Sequence, residues 1–449
     1  MEKWGNRLII TLVFTYILNE FIELYLLAII NTILTVIVML FTIFNSNRLP
    51  KLFSSIIVTL GVIILFTGKF DVNLLVESVT KNLPLVCLII VVPVLAVPIN
   101  IGKYNEKIAA LFANFDKNPT ILYMIIHSFF YILGPITNLG SIHIINSMIE
   151  KMKIPASFLG RVYIRGFSSI NTWAPYFASV FLVVYTLEIP MYVFLPYGLL
   201  LSFFQFATST SLFALKEIRS IKMEPMEANN DGNTKKVLEL LLALLVLIGI
   251  IFIIEPYITF NVSVLIIIVA SIFALLWSMY LKASREFLKE SNQFRKNFIQ
   301  KQSNEIGLFL SAGFFGVVLS KSPIAHYINL VWVQFAGLSI IILTLFTIIL
   351  VSLLSFVGVH QIVIISSILA TVSPESLGLN DITFAMILLS AWAIASTTSP
   401  IAPMNVISSN ILHVNVFQMI FKWNFLYAVL ITLVHTVVIY FTHLFFMMN

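Results

Sequence analysis

The segment FSSINTWAPY, residues 167–176, and the segment ASTTSPIAPMN, residues 395–405, place Ser, Thr, Asn and Pro inside two long apolar stretches. A helix that crosses lipid should continue through such a stretch, because lipid offers no partners to backbone groups that leave the helix. Both segments are therefore predicted to be the unwound midpoints of broken membrane helices. In secondary transporters, interruptions of this kind lie at the solute site.

The composition is typical of a polytopic membrane protein. Of the 449 residues, 59% are hydrophobic and 10% are charged, and apolar runs of membrane-spanning length recur along the chain. The net charge of +6 does not indicate nucleic-acid binding, because Lys and Arg lie in short loops between apolar runs. The single Cys87 excludes an intrachain disulfide and a cysteine-based metal site. We find no nucleophile or phosphate-cradling Gly motif and expect no enzyme.

The predicted fold class is an all-α polytopic membrane protein with eleven transmembrane helices and two opposed re-entrant hairpins. Residues 120–149 and 337–372 are assigned to the hairpins, since each is too long for one span of ~30 Å and is interrupted by Gly. The predicted spans are residues 8–22, 26–44, 53–68, 83–101, 162–187, 190–215, 237–254, 258–281, 306–320, 382–412 and 424–447.

Loop charges predict the orientation of these segments. Lys and Arg are concentrated in residues 216–236 and in the connector 282–304, which we place in the cytoplasm together with Lys3 and Arg7. The hairpin 120–149 then enters from the cytoplasmic side, and the hairpin 337–372 enters from outside. The protein is thus expected in the cytoplasmic membrane of the cell, with its N-terminus inside.

The same order of elements occurs twice. After N-terminal scaffold helices in residues 1–52, the first inverted repeat covers residues 53–215, and the second follows the loop 216–236 and covers residues 237–449. Each repeat has a span, a hairpin and a broken helix, which are residues 162–187 and 382–412. Pro175 follows Gly134 by 41 positions and Pro400 follows Gly358 by 42. Inverted repeats with matching interruptions indicate a secondary transporter.

The two hairpin tips and the two helix breaks are expected to converge on a polar pocket. Hydroxyls, amides and freed carbonyls suit Na⁺, and the N-termini of half-helices favour an anionic group. Alternatively, these side chains only satisfy the broken backbone. The candidate binding residues are Thr137, Asn138, Ser141, Ser168, Ser169, Asn171, Thr172, Pro175, His360, Gln361, Ser396, Thr397, Thr398, Ser399, Pro400 and Asn405.

The charged and titratable residues of the same region do not decide between Na⁺ and H⁺ as the coupling ion. The hairpins and broken helices contain no Asp or Glu, so Na⁺ bound by neutral ligands competes with protonation of His360. His127 and His143 are expected to be packed or hydrogen-bonded histidines. Arg165 lies six residues before Asn171, or ~9 Å towards the cytoplasm along the helix. Its guanidinium either contacts an anion in the pocket or extends to the cytoplasmic interface.

This arrangement resembles the ion transporter superfamily, which includes the divalent-anion/sodium symporters and the large membrane subunits of tripartite periplasmic transporters. The segment TSPIAPMN, residues 398–405, is similar to the sequence motif at the helix break of the symporters. The resemblance implies that the tips, including Ile136 and Val359, and the breaks, including Pro403, bind Na⁺ and solute. It also implies a homodimer in the lipid bilayer that works by an elevator-type movement.

We therefore expect a secondary active transporter of a small anionic solute, coupled to Na⁺ or H⁺, with no other metal and no cofactor. The alternative is a non-transporting membrane scaffold or partner protein, or a handler of lipid-linked intermediates. A pocket that opens sideways to lipid between apolar residues would favour this alternative.

Overall fold

The computed structural model describes residues 2–67, 71–104, 108, 112, 118–221 and 234–448, and every regular element in these ranges is helical. The α-helices are α1 Glu2–Ile22, α2 Tyr25–Asn45, α3 Arg48–Thr67, α4 Val72–Thr80, α5 Leu83–Val91, α6 Ala96–Ile101, α7 Pro119–Thr137, α8 Gly140–Ile149, α9 Ala156–Ile170, α10 Ala178–Thr186, α11 Met191–Leu212, α12 Thr234–Ile254, α13 Val262–Tyr280, α14 Ser284–Lys301, α15 Ser303–Ser320, α16 Pro323–Leu338, α17 Ile340–Phe356, α18 Gln361–Thr371, α19 Asp381–Thr398, α20 Pro403–Leu412 and α21 Phe425–Met448.

Ten helical stretches in the described residues are long and apolar enough to cross a membrane, as a multi-pass membrane protein requires. Nine of them coincide with predicted spans. Two predicted spans are not among these ten stretches. The span 8–22 is helical as part of α1, and the span 162–187 is divided between the shorter helices α9 and α10. The tenth stretch is α7, which has 19 residues and is therefore longer than the predicted hairpin arm.

Side-chain caps fix where several of these helices begin. The side chain of Asn118 accepts a hydrogen bond from the backbone N–H of Ile121, and Pro119 occupies the first turn of α7. The side chain of Asn380 likewise accepts a hydrogen bond from the N–H of Thr383, at 2.7 Å, at the start of α19. An Asn cap satisfies one of the N–H groups that the first turn leaves open, and Pro has no N–H to satisfy there.

The chain forms two compact units, each drawn from both halves of the sequence. Unit 1 comprises residues 1–97, 251–337 and 362–378, and unit 2 comprises residues 98–250, 338–361 and 379–449. This division does not follow the predicted boundaries at residues 215 and 237. The two inverted repeats therefore stay a prediction.

Unit 1 is held together by apolar packing around α15. Phe314 and Val318 pack with Leu65 of α3 and Val79 of α4, and all four side chains are buried. A polar contact adds to this packing, since the Asn82 amide donates a 2.9 Å hydrogen bond to the carbonyl oxygen of Phe309. The burial of these apolar side chains and the hydrogen bond of the buried Asn82 amide both stabilise the packing of unit 1.

Unit 2 contains both interrupted helices. The first is formed by α9 and α10, with residues 171–177 outside helical conformation, and the second by α19 and α20, with residues 399–402 between them. Within the unit, α9 packs against α20 and α10 packs against α19. The half-helices of one interruption thus lie against those of the other.

The predicted first hairpin is a pair of contacting helices, α7 and α8, joined at Asn138, which has a positive φ of 50°. In the second, α17 and α18 are separated by a turn with Gly358 at φ 114°, a conformation that favours glycine. However, α17 belongs to unit 2, whereas α18 lies in unit 1 from Ile362 onwards. Entry of either helix pair into a membrane from one side stays a prediction.

Candidate functional site

At the first helix break, three hydroxyl groups donate hydrogen bonds to backbone carbonyls of the same segment. Ser168 donates to the carbonyl of Arg165, Ser169 to that of Gly166 at 2.7 Å, and Thr172 to that of Ser169 at 3.0 Å. These hydroxyls return to the preceding turn of the helix, which is the arrangement expected if they only satisfy the broken backbone. All three side chains are buried.

Asn171 and Pro175 occupy the break itself. The hydroxyl of Ser179, on α10, donates a 2.8 Å hydrogen bond to the carbonyl oxygen of Asn171 and therefore ties the start of α10 to the end of α9. Two buried polar atoms between these helices, Trp173 Nε1 and the Tyr176 hydroxyl, have no hydrogen-bond partner among the described residues. Unsatisfied buried groups of this kind are rare in proteins and mark places where water or a ligand can bind.

The second break is organised by Asn405, whose side chain is fully buried. Its Nδ2 donates to two carbonyls that the break frees, Ser396 O at 2.9 Å and Ser399 O at 2.7 Å. Its Oδ1 has no hydrogen-bond partner in the described part of the chain. The Ser399 hydroxyl reaches out of the break and donates to the carbonyl of Ser355, at 2.7 Å, at the end of α17.

The other candidates in the second break bond locally. Ser396 donates to the carbonyl of Trp392, and Thr397 and Thr398 donate to that of Ile394. Pro400 lies in the non-helical segment between α19 and α20. Asn405 is thus the predicted residue that joins the two half-helices directly.

The hairpin tips differ in their surroundings. At the first tip, Thr137 donates to the carbonyl of Leu133 and Ser141 to that of Asn138. Gly134 lies against the end of α9, where the first break begins, because a Cβ at this position would come within 2.0 Å of the Ile170 side chain. The first tip and the first break are therefore adjacent.

At the second tip, Gln361 is buried and His360 is partly exposed, whereas Val357 is 72% exposed. The link from this tip to the second break is the bond between Ser399 and Ser355 described above. Among the described residues, no hydrogen bond joins side chains of the first break to side chains of the second.

Arg165 lies in neither of the two places predicted for it. Its side chain is fully buried, and its guanidinium forms a bidentate pair with the carboxylate of Glu217 at 2.8 and 2.9 Å. Further hydrogen bonds go to Asn424 Oδ1 at 2.9 Å and to the carbonyl of Trp423 at 2.7 Å, while the ring of Tyr427 lies 4.9 Å away. Four bonds engage four of the five N–H groups of Arg165, and the anion that it contacts is Glu217.

Glu217 and Asn424 were missed by sequence analysis. Glu217 was assigned to the loop 216–236, but a π-helical turn extends α11 through it and buries it. Asn424 ends a second π-helical segment, residues 418–424, before α21. Two arginines four residues apart in an apolar helix, Arg161 and Arg165, are a signal for a buried acid beside that helix, but they do not indicate which acid it is. The Arg161 Nε lies 3.3 Å from the same carboxylate.

Of the two histidines predicted to be packed or hydrogen-bonded, His127 is buried, whereas His143 is exposed, so the prediction is wrong for His143. His127 is buried, with its Nε2 3.5 Å from the Ser169 hydroxyl, and His435 is buried, with its Nε2 3.2 Å from the carbonyl of Leu201. No group of three or more His, Cys, Asp or Glu side chains suited to a metal ion occurs among the described residues.

Apolar grooves lie on the surface of unit 2. One, of about 320 Å³, lies between α17, α19 and α21 and includes Thr398 of the second break in its wall. Another, of about 770 Å³, lies between α11 and α21 and is lined by residues such as Tyr197 and Val437. Both have predominantly aliphatic and aromatic walls.

The fold and the two breaks define a polytopic helical protein of membrane type with two interrupted helices packed together in one compact unit. Neither the models of known protein families nor the curated protein sequences match this chain.

Proposed function

We propose that the protein is a secondary active transporter of a small anionic solute in the cytoplasmic membrane, coupled to Na⁺ or H⁺. The observation that carries this proposal is the construction of the second break around Asn405, whose Nδ2 donates to two carbonyls and whose buried Oδ1 has no hydrogen-bond partner among the described residues. Buried oxygen atoms at a helix interruption are suited to a hard cation such as Na⁺.

Neutral oxygens in the breaks support Na⁺ as the coupling ion. In addition to Asn405 Oδ1, the hydroxyls of Ser355 and Ser408 are buried and have no partner among the described residues. Ser408 lies one turn after Asn405 on α20, and the carbonyl of Ser355 contacts the break through Ser399. Protonation of His360 remains the competing coupling mechanism.

The resemblance to the ion transporter superfamily suggests further features of this proposal: a homodimer, alternating access by an elevator-type movement, and an N-terminus in the cytoplasm.

Uptake into proteoliposomes tests the proposal. Purified full-length protein would be reconstituted and supplied with radiolabelled anions under an imposed Na⁺ gradient, an imposed pH gradient, or neither. We expect at least one anion to accumulate under one of the two gradients and to equilibrate when the gradient is dissipated. If every transported anion is indifferent to both gradients, the coupled mechanism is wrong.

The second candidate function is the handling of a lipid-linked intermediate, on the same fold. The groove that includes Thr398 favours it, since its walls are apolar and it opens at the surface of unit 2 beside the second break. A non-transporting scaffold or partner protein is a further alternative. For both, the proteoliposome assay should show no uptake.

A further inference from the structure

Two buried arginines of α9 share one carboxylate. Both oxygens of Glu217 accept hydrogen bonds from the Arg165 guanidinium, at 2.8 and 2.9 Å. Arg161, one turn earlier on α9, is 8% exposed, and its Nε lies 3.3 Å from the Glu217 oxygen that also binds Arg165 Nη2. Arg165 is therefore paired with Glu217, whereas the three charged groups together carry one positive charge in excess.

Arg161 carries this excess charge, because its N–H groups are mostly unused. Its Nη1 donates a 2.6 Å hydrogen bond to the carbonyl oxygen of Ser157, the one hydrogen bond that Arg161 forms with described residues. Its buried Nε has no hydrogen-bond partner there, since the 3.3 Å contact with Glu217 is an ion pair without a hydrogen bond. A buried guanidinium is costly unless it is paired and hydrogen-bonded, so Arg161 favours the binding of a further anion.

The backbone of α9 adds to this preference. The helix has 15 residues and begins at Ala156, so Ser157 lies in its first turn. The hydrogen bond to the Ser157 carbonyl directs the guanidinium of Arg161 back towards the N-terminus of α9. The N-terminus of a helix carries partial positive charge and N–H groups without intrahelical partners, which also favour an anion.

Exposed lysines lie next to the same cluster in unit 2. Lys216 directly precedes Glu217, and Lys422 directly precedes Trp423, whose carbonyl accepts a hydrogen bond from Arg165. Both lysines are exposed, and each follows an exposed apolar residue. Basic side chains between membrane helices, with apolar surface beside them, are typical of sites for the head groups of anionic lipids.

We propose that Arg161 binds a phosphate group at the N-terminus of α9, with Lys216 and Lys422 at the rim of the site. A planar guanidinium matches the oxygens of phosphate, and additional cations suit an anion of more than one charge. The phosphate belongs either to the head group of an anionic phospholipid or to free inorganic phosphate. The site lies about 15 Å along α9 from Asn171 and is independent of the proposed transport.

Binding to the purified, delipidated full-length protein in detergent tests the proposal. The probes are phosphatidylglycerol, phosphatidylcholine with the same acyl chains, and inorganic phosphate. Native mass spectrometry counts the bound lipid, and the thermal denaturation midpoint reports binding of each probe. Arg161→Gln removes the guanidinium, and the double variant Lys216→Gln with Lys422→Gln removes only the rim. Lys289→Gln is the control, because Lys289 is an exposed lysine on α14.

We expect phosphatidylglycerol to bind at least about tenfold more tightly than phosphatidylcholine, and Arg161→Gln to abolish this difference. The double lysine variant should weaken phosphatidylglycerol binding about threefold, and Lys289→Gln should leave it unchanged. An Arg161-dependent response to phosphatidylglycerol alone would assign the site to a lipid head group, and one to inorganic phosphate would assign it to the free anion. If Arg161→Gln and Lys289→Gln respond equally to every probe, the proposal is wrong.

Stability without phosphate separates binding from a purely structural role of Arg161. Arg161→Gln leaves Arg165 and Glu217 as a neutral pair, so we expect its denaturation midpoint in phosphate-free detergent to equal or exceed that of the wild type. A lower midpoint together with unchanged binding of phosphatidylglycerol and inorganic phosphate would show that Arg161 only supports Glu217. That result would overturn the proposal.

Discussion

The side chain of Asn405 forms hydrogen bonds with backbone carbonyls at the second break, where the helix is interrupted. Its amide donates to the carbonyls of Ser396 and Ser399, whose partners four residues later in a continuous helix would be Pro400 and Pro403, which have no N–H. A buried carbonyl left without a donor costs about 1–3 kcal/mol, which explains why an amide is required at this depth. The same geometry leaves Oδ1 buried and without a hydrogen-bond partner in the part of the chain that the structure describes.

Replacement of Asn405 by Ala should impair the proposed transport. We expect gradient-driven anion uptake to fall by at least about tenfold, because the variant removes both the donor to the break and the candidate ion ligand. Asn410→Ala is the control, since Asn410 lies on the same helix but is exposed. Initial rates in proteoliposomes, normalised to folded protein, measure the effect. Wild-type rates for Asn405→Ala would show that the second break is not the site.

Asn171→Ala is the corresponding test of the first break. The backbone of Asn171 is held by Ser179, so the fold of the break should survive loss of the amide side chain. We expect reduced affinity for the solute or the ion, visible as a higher half-saturation concentration in the uptake assay, with an unchanged thermal denaturation midpoint. An unchanged half-saturation concentration would exclude the Asn171 side chain from binding.

The ion pair between Arg165 and Glu217 makes a prediction about stability. Glu217→Ala should lower the free energy of unfolding by about 3–5 kcal/mol, because it leaves a buried guanidinium without its carboxylate. The double variant Arg165→Met with Glu217→Leu should be more stable than Glu217→Ala, since it leaves only Arg161, and not both arginines, without this carboxylate. Thermal denaturation in detergent, with the exposed Glu286→Ala as control, measures both. If Glu217→Ala and Glu286→Ala denature at the same temperature, the pair contributes nothing to stability.

Among the helices, α11 holds the first break in place by close backbone packing. A Cβ at Gly198 would lie 2.5 Å from the carbonyl oxygen of Thr172, closer than side chains approach backbone atoms. The Ser202 hydroxyl, one turn later on α11, donates a 3.0 Å hydrogen bond to the carbonyl of Ser169. This part of α11 is therefore shaped to fit the interruption between α9 and α10.

Gly198→Ala should accordingly disturb the first break. We expect lower uptake and a lower denaturation midpoint, because either α11 or the break must shift to admit the methyl group. Gly249→Ala provides the contrast, since nothing lies within 4 Å of a Cβ at that helical position, and Ala should be neutral or stabilising by up to about 1 kcal/mol. Equal effects of the two substitutions would argue against a tight fit at Gly198.

For the molecule as a whole, the loop charges predict an orientation that cysteine labelling can check. Cys87 is buried and should react little, so single cysteines can be introduced at the exposed positions Glu286 and Ser376. In intact cells, a membrane-impermeant maleimide should label Ser376→Cys and should label Glu286→Cys only after lysis. The reverse pattern would place the N-terminus outside.

The interruptions in α9–α10 and α19–α20 could be located from sequence, because Pro, Asn and hydroxyl residues at membrane depth are visible in one segment of chain. Most spans were found for the same local reason, since length and hydropathy determine whether a helix can cross lipid. The predicted span 190–215 ends two residues before the helical stretch does, at Glu217, and the burial of Glu217 beside Arg165, 52 positions away, cannot be read from local sequence.

Local pattern determined that this chain is helical, is of membrane type and breaks near residues 171–177 and 399–402. The partners of these segments depended on folding: Glu217 and Asn424 for Arg165, Ser355 for Ser399, and the groove beside Thr398. Hydropathy is a property of consecutive residues and can be read along the chain. The pairing of buried polar groups joins residues that are distant in sequence, and it is fixed only when helices from both halves of the chain pack together.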